Sequence, residues 1–265
     1  MRAKAKKECV PAADAIHRAR FERLCAEAAL HSRRAGESGI GTLAEKRLHS
    51  ILKRYICEDE DLHEVGVANT RYVSDVRVGN HIYEIQTGAF YPMQKKIAHY
   101  IEKTDCTVTV VHPIVVNKFV RWIDPKTGER SPRTKSPKHE GAEALLPELS
   151  CLLPYLGHPR LRFRLLMIEA EDFRLLNGWS KDRKRGSELY ERVPLSLIDE
   201  AEYCSSSDFA SFLPLALPSP FTVKEFSGHT GIQGRDAYAS VRVLAALGLL
   251  RKSAPIGRAM AFEKV

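Results

Sequence analysis

Two short strands and the turn between them constrain this chain more than any other segment. Arg71 to Val78 and His81 to Thr87 are rich in Val, Ile, Tyr and Thr, and the intervening Gly79-Asn80 is a favoured two-residue hairpin loop. With that loop Val78 faces His81, and counting outward sets Asp75 opposite Glu84. Directly opposed residues on antiparallel strands have Cβ atoms about 5 Å apart, where like charges repel. Gln86 lies two residues beyond Glu84 and shares its face. Two carboxylates forced together need a cation or a shared proton, and hard oxygen ligands suit Mg²⁺ or Mn²⁺. The hairpin therefore predicts a metal-site geometry. A competing reading leaves both acids facing solvent, neutralised by Arg71 or Arg77.

The neighbouring segments fall into a definite order. Thr42 to Cys57 reads as an amphipathic helix with Leu48, Ile51, Leu52, Tyr55 and Ile56 on its apolar stripe, and Glu45 lies one turn before Leu48 on the same side. Pro92 to Thr104 reads as a helix with Pro in its first turn. Cys106 to Val116 reads as an apolar, β-branched strand. From about Gly41 to Val116, this helix–strand–strand–helix–strand order with Asp75 and Glu84-Ile85-Gln86 resembles the core of the PD-(D/E)XK nuclease superfamily.

The resemblance implies an α/β fold, a restriction-endonuclease-like mixed sheet flanked by helices. It also implies chemistry: Asp75, Glu84 and the Ile85 carbonyl holding Mg²⁺ or Mn²⁺, Gln86 orienting the attacking water, and Glu45 as an outer or second-metal carboxylate. The family's usual Lys is Gln86 here. Some members carry Gln at that place, and others supply a Lys from the next helix, where Lys95 and Lys96 are the candidates. Such a cation stabilises charge developing on the phosphorane, which a neutral amide does not. Thr42-Leu43-Ala44-Glu45 also forms a capping box, so a purely local role for Glu45 stays open. His99 and His112 read as structural histidines.

The formal net charge of +8 favours a polyanionic partner. Two stretches concentrate that charge. Gly128 to Gly141 carries Arg130, Arg133 and Lys135 with almost no apolar residue, and reads as an exposed arm that tracks phosphates. Gly178 to Gly186 places Trp179 beside Lys181, Arg183, Lys184 and Arg185, a loop suited to stacking or phosphate contact. Leu161 to Ala170 and Leu189 to Val193 read as strands, and Ser205 to Leu213 as a short capped helix. Six cysteines are scattered singly without a CxxC pair, which points to reduced thiols rather than a zinc site. The basic Met1 to Lys7 is followed by no apolar run, and no stretch is long enough to span a bilayer, so the reading is a soluble cytoplasmic protein with no membrane partner.

Three prolines between Pro214 and Pro220 mark a boundary. The expected organisation is an N-terminal helical segment (1–40), a nuclease-like domain with basic loops (41–213), a Pro-rich linker (214–220) and a small C-terminal domain (221–265). In that last domain Thr222 caps a helix to about Thr230, Arg235 to Leu247 forms a second, and Leu249 to Lys264 forms a basic hairpin. The pattern resembles a winged helix-turn-helix. In the DNA reading Gln233, Arg235, Asp236, Tyr238 and Arg242 face the duplex and Lys252 and Arg258 are wing contacts. The expected function is metal-dependent cleavage of DNA, with the winged helix placing the enzyme and a homodimer favoured for cutting both strands. The alternatives are a non-catalytic DNA-binding protein on a degenerate nuclease scaffold, and an adaptor that docks a protein through the winged helix.

Overall fold

The computed structural model describes residues 15–34, 44–67, 70–179 and 185–265. The protein is mixed α/β, with a large mixed sheet flanked by helices. In chain order the first elements are α1 (Ala15–Arg34), α2 (Ala44–Ile56), β1 (His63–Gly66), β2 (Val73–Val78), β3 (His81–Ile85), α3 (Gln94–Lys103) and β4 (Thr107–Ile123). Then come β5 (Thr134–Lys135), α4 (Leu145–Glu148), β6 (Leu161–Trp179) and β7 (Arg185–Tyr203). The C-terminal elements are β8 (Phe221–Thr222), α5 (Val223–Thr230), α6 (Gly234–Ala246), β9 (Leu250–Ile256) and β10 (Ala259–Lys264). The main sheet runs β1-β2-β3-β4-β6-β7, with β5 paired to β4.

The hairpin register is the one counted outward from the turn: Val78 pairs with His81, Arg77 with Ile82 and Val76 with Tyr83. Gly79 has φ +59°, the sign a type II′ turn requires at its first central residue. β1 and β2 are antiparallel, whereas β3 pairs parallel with β4 from His81↔Thr107 to Ile85↔Val111. Pro113 comes after that ladder ends, where its missing N–H breaks no bond to β3.

By packing, the chain divides into two compact units, each assembled from three separate segments. One comprises Met1–Tyr55, Val115–His139 and Leu165–Ala201; the other comprises Ile56–Ile114, Glu140–Arg164 and Glu202–Val265. In the first, Phe21 and Leu24 of α1 and Leu48, Ile51, Leu52 and Tyr55 of α2 are buried, with the Phe21 and Tyr55 rings edge-on at 5.4 Å. The Tyr55 hydroxyl donates to Glu200 at 3.1 Å, and His17 meets the same carboxylate.

The basic stretch after Gly128 is largely exposed, and it is also held to the sheet: Arg130 bridges Ile123, and Thr134 and Lys135 pair with Val120 and Phe119. The Arg133 guanidinium lies 3.6 Å from the centre of the Phe119 ring and that of Arg130 lies 5.5 Å from Phe173. Cation–π contact thus supplies the anchoring that an apolar side chain would normally give. β6 and β7 are also much longer than the expected strands, at 19 residues each. Their charged positions are paired across the sheet: Asp172, 1% exposed, takes a two-pronged bond from Arg192 at 2.6 and 3.0 Å, and Glu171 accepts from Arg121 at 2.7 Å.

In the second unit α3 buries Ile97, Tyr100 and Ile101 at helical spacing. Arg160 caps its C-terminus, donating to the carbonyls of Ile101 at 2.6 Å, of Cys106 at 3.1 Å, and of Thr104. A cation at that end also suits the helix dipole. The C-terminal strands form their own antiparallel sheet in the order β8-β10-β9. Thr222 and Glu225 make a reciprocal capping box at the start of α5, with bonds of 2.7 and 3.3 Å. α6 packs on α4 and on the turn of 3₁₀ helix over Leu149–Tyr155, burying Ala237, Ser240, Val241 and Leu244. The Pro-rich stretch 214–220 is tied down, since Leu217 is buried and Lys264 Nζ donates to the carbonyls of Pro214 and Leu217 at 3.1 and 2.7 Å. No described helix is long and apolar enough to cross a membrane.

Candidate active site

The site is built at the far end of the β2–β3 hairpin from its turn. Alternation along β3 sends Ile82 and Glu84 to the face covered by α3 and sends His81 and Tyr83 to the other. Asp75, half-buried on β2, accepts the Ile85 backbone N–H through Oδ2 at 2.7 Å. This bond holds the Asp75 carboxylate against the end of β3. Glu84 is 3% exposed. Lys96 Nζ donates to its Oε2 at 2.5 Å, and the Tyr100 hydroxyl donates to its Oε1 at 3.1 Å. Lys96 and Tyr100 are four residues apart on α3 and so share one face.

α3 thereby distinguishes the two lysines. Lys96 reaches the carboxylate, while Lys95 is exposed on the helix surface and is not brought into this group. The Gln86 side-chain amide donates to the Ala89 carbonyl at 2.5 Å, and its backbone carbonyl accepts from His112 Nδ1 at 2.5 Å. With Phe90 N–H donating to Glu148 at 3.0 Å, these bonds pin the loop that leaves β3. Glu45 falls in the first turn of α2, and its side chain lies outside the described residues.

Burial dominates the electrostatics of Glu84. Desolvation raises its carboxyl to about 7, against the Lys96 cation, which lowers it, and with Asp75, whose charge raises it further. An acid held above its ordinary value of 4.5 binds its proton more tightly when folded. Its contribution to stability is full below that value and is lost as pH rises to about 7. The metal-free protein should therefore lose stability across this interval. Glu84→Gln should flatten the fall, as read from urea midpoints at successive pH values. Burial also holds the His112 imidazole below its usual range, consistent with a neutral ring that donates from Nδ1 to Gln86.

The donor set fits a hard divalent cation. Mg²⁺ keeps much of its water and takes one or two carboxylates plus substrate oxygens, and Asp75 and Glu84 supply two that repel each other. Among the described residues no three His, Cys, Asp or Glu side chains converge to hold a metal, so the Ile85 carbonyl, water and substrate would complete the shell. The Lys96 ammonium meets the same need for positive charge at Glu84.

Tyr100 was not anticipated from the sequence, although its i+4 spacing from Lys96 in a predicted helix was a usable signal. Of the residues expected to bind nucleic acid, Arg130 and Arg133 lie over aromatic rings and Lys135 is exposed on β5. Arg235 and Arg242 project from the exposed side of α6, and Lys252 and Arg258 are exposed on the β9–β10 hairpin. Lys181, Arg183, Lys184 and the Arg185 side chain lie outside the described residues.

The chain belongs to the family described as Domain of unknown function (DUF8091), whose model matches residues 46–204. That span includes the whole carboxylate–lysine–tyrosine group. Comparison with curated proteins and with solved structures found no match.

Proposed function

We propose that this protein is a metal-dependent phosphodiesterase that cleaves DNA, built on a PD-(D/E)XK-like core with a C-terminal winged helix that helps place it on the duplex. The observation that carries this reading is the meeting of Asp75, Glu84 and Lys96 at the end of one hairpin. Two acids and a lysine are the residue types the PD-(D/E)XK pattern requires, and α3 supplies the lysine that Gln86 replaces. Asp75, Glu84 and the Ile85 carbonyl would hold Mg²⁺ or Mn²⁺. Bound there, the ion would polarise a phosphoryl oxygen and lower the pKa of a water. Tyr100 holds Glu84 in place, and the Ile85 N–H does the same for Asp75. Lys96, which contacts Glu84, would supply positive charge as negative charge develops on the phosphate.

The C-terminal elements support the DNA half of the reading. The buried side of α6 faces α4, which leaves Arg235, Tyr238 and Arg242 exposed together with Lys252 and Arg258 on the adjoining hairpin. A second reading, a DNA-binding protein on a non-catalytic scaffold, is favoured by the use of Gln86 as a loop tie and by the occupation of both Glu84 oxygens. Incubation of supercoiled plasmid and of single-stranded DNA with Mg²⁺ or Mn²⁺, against an EDTA control, separates the two. The nuclease reading expects metal-dependent nicking. DNA binding without any cleavage in either metal would sink it in favour of the scaffold.

A further inference from the structure

The outer half of β4, where β5 joins it, gathers cations around an aromatic ring and a single acid. Phe119 and Arg121 are two residues apart on β4 and share a face. Lys135 of β5 is the cross-strand partner of Phe119, which puts its side chain on that face too. Arg133 joins them, its Cζ 3.6 Å from the centre of the Phe119 ring. Glu171 reaches the same group from β6: its Oε1 accepts from Arg121 Nε at 2.7 Å and stands 3.7 Å from Arg133 Nε. Arg121 Nη1 also donates to the Ser131 carbonyl at 3.5 Å. All of these residues belong to the first compact unit.

Two guanidiniums held on one carboxylate repel each other, and Glu171, 9% exposed, brings a single negative charge between them. With Lys135 exposed beside them, the face holds more positive charge than that acid cancels. The two arginines are not equivalent. Arg121 is hydrogen-bonded to Glu171. Arg133 is exposed, stands beyond hydrogen-bond length from the acid and donates to no acceptor among the described residues. Its seat on Phe119 fixes the side chain and leaves its N–H groups without a protein acceptor, so little rotamer freedom remains to be lost on meeting an anion. We infer that Arg133 and Lys135, with Arg121 held beside them by Glu171, form a track for the phosphates of a DNA strand on this face of β4 and β5. Cations set along two paired strands suit a ligand of repeated negative charge, and a guanidinium meets a phosphate through two parallel N–H···O bonds. The track rests on the reading that DNA is the ligand but not on cleavage, and it shares no side chain with the carboxylate site or the winged helix.

The test uses the full chain in EDTA, so that cleavage plays no part, and titrates a fluorescein-labelled DNA duplex by anisotropy at several salt concentrations. Arg133→Gln is expected to lower the slope of log affinity against log salt by about 0.9, which at about 0.1 M salt is a loss of about eightfold. Arg133→Lys keeps the charge and should keep the slope. Phe119→Leu leaves every charge in place but frees the Arg133 side chain, so affinity should fall about two- to tenfold while the slope holds. Arg235→Gln with Arg242→Gln on α6 is the comparison. Wild-type affinity and slope in both Arg133→Gln and Phe119→Leu, with weaker binding by the α6 variant, would overturn the track and leave the DNA reading standing. A slope lost equally in Arg133→Lys would trace the effect to folding and also overturn the track. A wild type without salt-dependent DNA affinity would overturn both the track and the DNA reading.

Discussion

Asp75→Asn is expected to lower metal-dependent DNA cleavage by about 10²–10³-fold, the scale of losing one charge-stabilising group from an active site, and to leave the fold intact. The substitution is nearly isosteric, and the Asn carbonyl can still accept the Ile85 N–H that Asp75 Oδ2 accepts at 2.7 Å. What disappears is one of the two negative charges that would hold the ion. A second signature accompanies the loss. Asp75 is one of the causes raising the Glu84 carboxyl to about 7, so the stability fall attributed to Glu84 should move to lower pH in the variant. Single-turnover cleavage rates and urea midpoints across pH measure the two effects separately. Unchanged cleavage in Asp75→Asn would remove Asp75 from the chemistry.

Arg192→Ala should produce the largest loss of stability among single substitutions outside the apolar core. Asp172 is 1% exposed, and both its oxygens are held by Arg192, Oδ1 by Nε at 2.6 Å and Oδ2 by Nη2 at 3.0 Å. Removing the guanidinium strands a carboxylate with almost no access to water, which costs about 3–5 kcal/mol in comparable buried pairs. The pair itself is not a net source of that much stability, because desolvating both charges offsets most of their attraction. Asp172→Leu with Arg192→Met should therefore recover most of the loss. Equilibrium urea unfolding reads both; a loss under about 1 kcal/mol in Arg192→Ala, the size expected of an exposed pair, would show that the pair is solvated.

What could be read from the sequence followed from local rules. The hairpin register was countable because Gly79-Asn80 allows one tight turn and side chains alternate with period two. The α5 cap was equally legible in Thr222 and Glu225. Choosing Lys96 over Lys95 required knowing which side of α3 packs, information that Ile97, Tyr100 and Ile101 carried as a pattern. The outer halves of β6 and β7 were hidden by their composition. Glu171, Asp172 and Arg174 look like solvent-facing residues until a partner strand supplies Arg121, Arg192 and Ser187. Arg130 and Arg133 were read as part of an exposed arm, and their anchoring was not legible because hydropathy does not register a cation stacked on Phe173 or Phe119. Nor could composition mark the division into units, since β4, β6 and β7 each contribute residues to both.

The most direct test of the carboxylate site is a calorimetric titration of Mn²⁺ into the wild-type chain, Asp75→Asn and Glu84→Gln. One Mn²⁺ bound per wild-type chain, with affinity at least about tenfold weaker in both variants, is the predicted result. Equal Mn²⁺ binding in all three proteins, or none in the wild type even with DNA present, would contradict a metal-dependent phosphodiesterase centred on Asp75 and Glu84.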